Sequence, residues 1–140
     1  MRAAPLLVLC LASAGCPGVG PNDGECIIDM DCDGDVCARD HACHPADQVR
    51  AVKAQWTIRG QPASELACAG AADLYIRFKG SSDDALGYAP VPCRLGQFTM
   101  DKLPTRYFSV ELGVEGRGGR HSAVTRAITS DGVVTFDLKP

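Results

Sequence analysis

The sequence predicts a mainly β fold: a seven-stranded antiparallel β-sandwich, preceded by a small disulfide-rich head. Three observations carry this expectation. Apolar and polar residues alternate with a period of two in four separate stretches, the mark of strands with one buried face. Glycine-containing turn signals divide those stretches from one another. Cys26, Cys32, Cys37 and Cys43 crowd into an acidic segment ahead of the first strand. The chain has 140 residues, of which 46% are hydrophobic and 22% charged. That suffices for one ordinary domain and a small addition.

The strands are read as follows. In Val52-Lys53-Ala54-Gln55-Trp56-Thr57-Ile58 the alternation turns Trp56 and Ile58 inward. Leu74, Ile76 and Phe78 alternate with Tyr75, Arg77 and Lys79. Phe108, Val110, Leu112 and Val114 alternate with Ser109, Glu111 and Gly113. Val134, Phe136 and Leu138 alternate with Thr135 and Asp137. Shorter strands are expected over 88–94, 97–100 and 122–128, and one helical turn over 62–68. Arg59-Gly60, Lys79-Gly80, Leu95-Gly96, Gly116-Arg117-Gly118-Gly119 and Asp131-Gly132 supply the turns. Strands of this number and spacing suggest two packed sheets, with Trp56 a core residue.

The N-terminus sets the compartment. Met1-Arg2 gives a positive start, residues 3–12 are an apolar run, and Ser13-Ala14-Gly15 are small. This is the order of a secretory signal peptide. The apolar run is too short to span a bilayer, which takes ~20 residues. Small residues ending on Cys16 resemble the lipobox of bacterial lipoproteins, with Ser13 standing where that family usually has Leu. The resemblance implies removal of residues 1–15 and acylation of Cys16, with a palmitate-type chain among its lipids. Pro17, rather than Asp, follows the cysteine, which by the enterobacterial sorting rule favours the outer membrane. The expected organisation is signal peptide 1–15, lipidated tether 16–25, disulfide-rich acidic head 26–46 and sandwich 49–140.

Eight cysteines in an exported chain point to disulfides. With Cys10 discarded and Cys16 lipidated, six remain, an even set. The head spacing C-x5-C-x4-C-x5-C allows three connectivities. We favour the interlocked Cys26–Cys37 and Cys32–Cys43 over the nested alternative; Cys68 and Cys93 would then pair within the body. So short a head cannot bury enough apolar surface to fold alone. Each bridge closing ~12 residues contributes roughly 3 kcal/mol by restricting the unfolded chain. A zinc knot is disfavoured, because no C-x2-C occurs.

The head also resembles the calcium loop of an EF-hand. Asp29, Asp31, Asp33, Asp35 and Asp40 occupy loop positions one, three, five, seven and twelve, Gly34 the sharp-turn place and Val36 the apolar eighth place. The resemblance implies calcium as a candidate ligand. Asp40 is a methylene shorter than the usual Glu, neither flank reads as a helix, and Cys32 and Cys37 lie inside the loop. We favour a metal-free, solvated set of acidic turns. His41 and His44 flank Cys43 and could share a metal only if both faced one way.

Trp56-x-Ile58-x-Gly60, Cys68, Pro92-Cys93, Phe98 and Leu103-Pro104-x-x-Tyr107-x-x-Val110 resemble, in that order, secreted β-sandwich modules of the transthyretin-like, carboxypeptidase-regulatory type. Cysteine-rich heads of this kind recur in lipoproteins of the myxobacterial type. One enzyme group with the transthyretin-like fold, the hydroxyisourate hydrolases, ends in Tyr-Arg-Gly-Ser beside histidines. This chain ends Asp137-Leu138-Lys139-Pro140 and has only His121 in its body, so that activity does not carry over.

Charge is unevenly spread around a net of −3. Residues 17–48 hold eight acids against Arg39, and residues 49–140 twelve bases against nine acids. No basic run suggests nucleic acid. No G-x-S-x-G, H-E-x-x-H or phosphate-cradling loop occurs. The expected function is that of a non-enzymatic, membrane-anchored envelope protein. A protein or polysaccharide partner is expected at the loops 81–89 and 116–120.

Overall fold

A computed structural model of the protein describes residues 25–71, 73–81, 83–116 and 118–140. The expected signal peptide, Cys16 and the tether up to residue 24 lie outside the described residues.

The head starts with a 3-10 turn, Asp29–Cys32, after which Asp33 (φ 45°) and Gly34 (φ 101°) reverse the chain. Two short strands, β1 (Val36–Cys37) and β2 (Cys43–His44), pair antiparallel, with Cys37 opposite Cys43. The interlocked pairing is the one present: Cys26–Cys37 and Cys32–Cys43, with Cα atoms 5.7 and 5.4 Å apart. Cys26, Cys32 and Cys37 form the buried cluster of the head. Covalent bonds therefore fix a segment whose other apolar groups find little cover.

The body is a mainly antiparallel sandwich. Its first sheet is built on β3 (Val49–Ile58), followed by the hairpin strand β4 (Gln61–Pro62). Arg59 (φ 51°) and Gly60 (φ 74°) make the two-residue turn between them. The second sheet starts with β5 (Asp73–Lys79) and β6 (Ala85–Pro92). The chain returns to the first sheet as β7 (Gln97–Pro104), antiparallel to β3. It then adds β8 (Ser109–Gly116) and β9 (Gly119–Ala127) to the second sheet, in the order β6-β5-β8-β9. Last, β10 (Val133–Leu138) lies parallel to β3, with Phe136 opposite Trp56. All seven expected strands are present, together with three two-residue strands; the β3–β10 pair is the exception to the antiparallel rule.

The alternation in sequence becomes alternation in burial. Val52, Ala54, Trp56 and Ile58 of β3 face Leu74, Ile76 and Phe78 of β5 and Val110, Leu112 and Val114 of β8 across one continuous core. Phe78 packs its ring against Tyr88 and Phe98, centroids 6.4 and 6.2 Å away. The indole N–H of Trp56 donates to the Cys93 carbonyl at 2.7 Å, beside the Cys68–Cys93 bridge. Its aromatic bulk is thus buried with its one polar atom satisfied.

Three details differ from the sequence reading. Phe108 is 54% exposed, because Tyr107, one residue earlier, takes the buried place at the start of β8. Tyr75 faces outward yet is buried: it lies over Gly113, its cross-strand neighbour, under the Arg120 guanidinium 4.6 Å from its ring centroid. A Cβ on Gly113 would come within 2.6 Å of that ring. Over residues 62–68, Pro62 ends β4 and residues 65–68 form turns with a single α-type bond, Cys68 N–H to Ser64 O at 2.9 Å, rather than a regular helix.

Candidate functional site at the head–sandwich junction and on the outer sheet face

Charged side chains gather where the head meets β7. The register of β7 on β3 shifts between Arg50 and Val52, leaving Asp101 and Lys102 in a bulge, and Lys102 takes a left-handed conformation (φ 51°). Bulges re-aim side chains, and both residues here engage the head. The Arg39 N–H donates to the Lys102 carbonyl at 3.1 Å. The Arg39 Nε donates to Asp101 Oδ1 at 3.0 Å, and its Nη2 pairs with the same oxygen. Lys102 Nζ donates to both carboxylate oxygens of Asp29, at 2.7 and 2.8 Å.

A second group of charges lies around Arg106, in the loop before β8. Its Nη2 meets Asp40 Oδ2 at 3.0 Å, and its Nε meets Asp84 Oδ2 at 2.8 Å. The Tyr107 hydroxyl donates to Asp84 Oδ1 at 2.9 Å. Asp40 is the most enclosed carboxylate of the set: its side chain is 5% exposed. It also receives His44 Nε2 at 2.9 Å and the Ala42 N–H at 3.2 Å. An enclosed polar group costs free energy unless it is hydrogen-bonded, and Asp40 has three such partners.

These contacts account for the acidic loop. Asp29 is held by Lys102, and Asp31 Oδ2 accepts the N–H groups of Ile27 and Ile28 at 2.9 and 3.0 Å. Asp33 and Asp35 are exposed, and Asp40 turns to Arg106 and His44. Asp29, Asp31 and Asp40 thus turn to separate partners. Among the described residues, the one group of three metal-ligand types with ligand atoms within 4.8 Å is Cys26, Cys32 and Cys37, whose sulfurs are in disulfides. His41 and His44 have different partners: His41 Nδ1 lies 3.3 Å from the Cys26 carbonyl and His44 Nε2 2.9 Å from Asp40 Oδ2.

The electrostatics follow the contacts. The Lys102 ammonium and the Cys37 N–H hold the Asp29 carboxyl below its ordinary range. The N–H groups of Ile27 and then Ile28 do the same for Asp31, and the Arg39 guanidinium for Asp101. Burial raises the Tyr107 hydroxyl, which keeps it a proton donor to Asp84.

The outer face of the first sheet carries a different surface, an open groove of about 760 Å³. The strand register sets Thr135, Gln55 and Gln97 side by side across β10, β3 and β7. Pro62, Leu95 and Arg126 also line the groove. Asp137 at its end is tied down, accepting from Thr57 Oγ1 at 2.9 Å and from the Gly60 N–H at 2.6 Å. These two donors lower its carboxyl, Gly60 more than Thr57. Amide and hydroxyl groups in a row can donate and accept at strand spacing, ~4.8 Å apart. Of the loops expected to make contact, residues 85–89 belong to β6, and residues 82 and 117 lie outside the described residues.

Sequence reading did not find Arg39, Asp84, Asp101, Lys102 or Arg106 as junction residues. Their partners lie far along the chain, and no local pattern marks such pairs. No helix among the described residues is long and apolar enough to cross a membrane. The chain matches no family model, no curated protein and no solved structure.

Proposed function

We propose that the protein is an exported cell-envelope lipoprotein, acylated at Cys16, that binds a ligand rather than catalysing a reaction. One observation carries the reading. All six cysteines from Cys26 onward are in disulfides, a state that persists in oxidising compartments and is rare in the cytosol. The two others, Cys10 and Cys16, both fall in the segment that resembles a signal peptide and lipobox. The resemblance to lipoproteins with cysteine-rich heads and to transthyretin-like sandwiches agrees with it. Acyl chains contribute ~0.8 kcal/mol per buried methylene, so two or more hold a protein durably. Pro17 after the acylated cysteine favours the outer membrane.

The groove over Thr135, Gln55 and Gln97 is the binding surface we assign, alongside the 81–89 and 116–120 loops. Neutral donors and acceptors beside the apolar Leu95 and Pro62 suit a polysaccharide, which presents hydroxyls and C–H faces together. An envelope protein is the alternative partner.

Intact mass of the membrane-extracted protein tests the anchoring. The expected product lacks residues 1–15, carries acyl chains on Cys16 and has three oxidised pairs. A cytosolic chain that retains Met1 and free thiols would sink the proposal.

A further inference from the structure

We infer that the head seats directly on a zwitterionic lipid surface through Ile27, Ile28 and Met30. This deepens, and rests on, the reading of Cys16 as the lipid anchor. These three side chains are 88%, 51% and 86% exposed. They occupy three of four consecutive positions. Among the described residues, the other large exposed apolar ones, Leu66, Leu95 and Phe108, are dispersed along the sandwich. A cluster of that kind on a small surface usually has a partner.

Four features identify the partner as lipid. The first is position. Ile27 lies eleven residues after Cys16, and a chain of that length reaches at most about 38 Å when fully extended. The anchor therefore keeps the patch near the bilayer at high effective concentration, where a weak contact is sufficient.

The second is backbone satisfaction. Apolar surface enters an interface cheaply only if the peptide groups beneath it are already bonded. Asp31 Oδ2 accepts from the N–H groups of both Ile27 and Ile28, and the Ile28 carbonyl accepts from the Asp31 N–H at 3.0 Å.

The third is rigidity. Cys26 and Cys32 bracket the patch, and each is bridged to the rest of the head. The backbone that carries the side chains therefore needs no further ordering on contact.

The fourth is charge. Asp33 and Asp35 are exposed beside the patch, and the 17–48 segment is strongly acidic. An anionic bilayer would repel it, and a zwitterionic one would not. Because Arg39 and Lys102 tie the head to β7, such seating would also fix the direction in which the sandwich points.

The test uses the acylated, membrane-extracted protein carrying Met30→Trp. It is reconstituted in phosphatidylethanolamine–phosphatidylcholine vesicles with brominated acyl chains, and its mass is measured in parallel. Trp56 is buried in the sandwich core and serves as the internal reference. The introduced indole should be quenched at least twofold, while wild-type emission stays within a tenth of its value. Replacing half the lipid by an anionic phospholipid should reverse most of the quenching. Acylated protein whose introduced indole is not quenched overturns the seating and leaves the anchor standing. Protein without acyl chains overturns both. Quenching absent from vesicles, with the indole shielded only in native membranes, would mean that a protein covers the patch, and this too overturns the inference.

Discussion

The head buries three cysteines as its apolar cluster, whereas the sandwich buries side chains from six strands in one continuous core. The two regions also meet water differently. The sandwich turns Trp56, Phe78 and Tyr107 inward, while the head leaves Ile27, Ile28 and Met30 outside. In the sandwich, period-two sequence gives sheets that bury each other's inner faces, and the stability is mostly hydrophobic. In the head there is too little apolar surface for that, and cross-links restrict the unfolded chain instead. The groups that join the regions are mostly exposed ion pairs, which contribute little. The comparison therefore teaches that head and sandwich should fail separately, each to its own perturbation.

Removing both head bridges should have the largest effect, and it should stop at the junction. Replacing Cys26, Cys37, Cys32 and Cys43 by Ser forfeits about 6 kcal/mol, at roughly 3 kcal/mol per twelve-residue loop. No apolar cluster remains to offset the loss, so the head unfolds. Amide hydrogen exchange should show protection lost over the head and kept in β3, β5 and β8. Loss of protection in both regions together would break the comparison, because it would make them one cooperative unit.

The reciprocal experiment is Phe78→Ala. Phe78 is fully buried between Tyr88 and Phe98, and removing such a ring costs about 3–5 kcal/mol. Denaturant unfolding followed by Trp56 emission should report this loss, while the two head bridges stay oxidised and the head amides keep their protection. A finer contrast comes from two glycines with positive φ. A Cβ on Gly132 (φ 71°) would lie 2.5 Å from the Ala51 carbonyl oxygen, whereas a Cβ on Gly34 (φ 101°) would meet nothing within 4 Å. The left-handed conformation alone costs an L residue roughly 1–2 kcal/mol, and forced overpacking adds about 1–3. Gly132→Ala should therefore destabilise by about 3 kcal/mol and Gly34→Ala by about 1. Equal losses in thermal unfolding would mean that packing does not separate the two regions.

The same division explains what the sequence made legible. Alternation within β3, β5, β8 and β10 is a local property, and it identified the strands and the inward residues Trp56, Ile58, Leu74 and Phe136. Strand neighbours are not local, so nothing in residues 133–138 announces that β10 runs parallel to β3. The cysteine spacing was informative because a short loop with four thiols has few ways to close. The aspartate spacing resembles a calcium loop, but spacing alone does not name contacts: Asp29 meets Lys102 and Asp40 meets Arg106. Those partners lie 73 residues away in the first case, beyond any motif. The Phe108–Tyr107 exchange has a similar origin: alternation gives a period but not the residue at which a strand starts.

The junction itself should respond least, and to acid. Asp101 and Asp29 both have lowered carboxyl pKa values in the folded protein, chiefly through Arg39 and Lys102. A carboxyl that binds protons less readily when folded stabilises the folded form at pH values above its unfolded pKa, near 4. That contribution is lost as pH falls through the lowered folded value. Exchange at the Arg39 N–H, which bridges head and sandwich through the Lys102 carbonyl, offers a direct reading. Relative to the intrinsic rate, its protection should be constant from pH 7 to 5 and decline below about pH 4. The amides of β5 should hold over the same range. Asp101→Asn should shrink the acid response without abolishing it, because Asp29 and Lys102 remain.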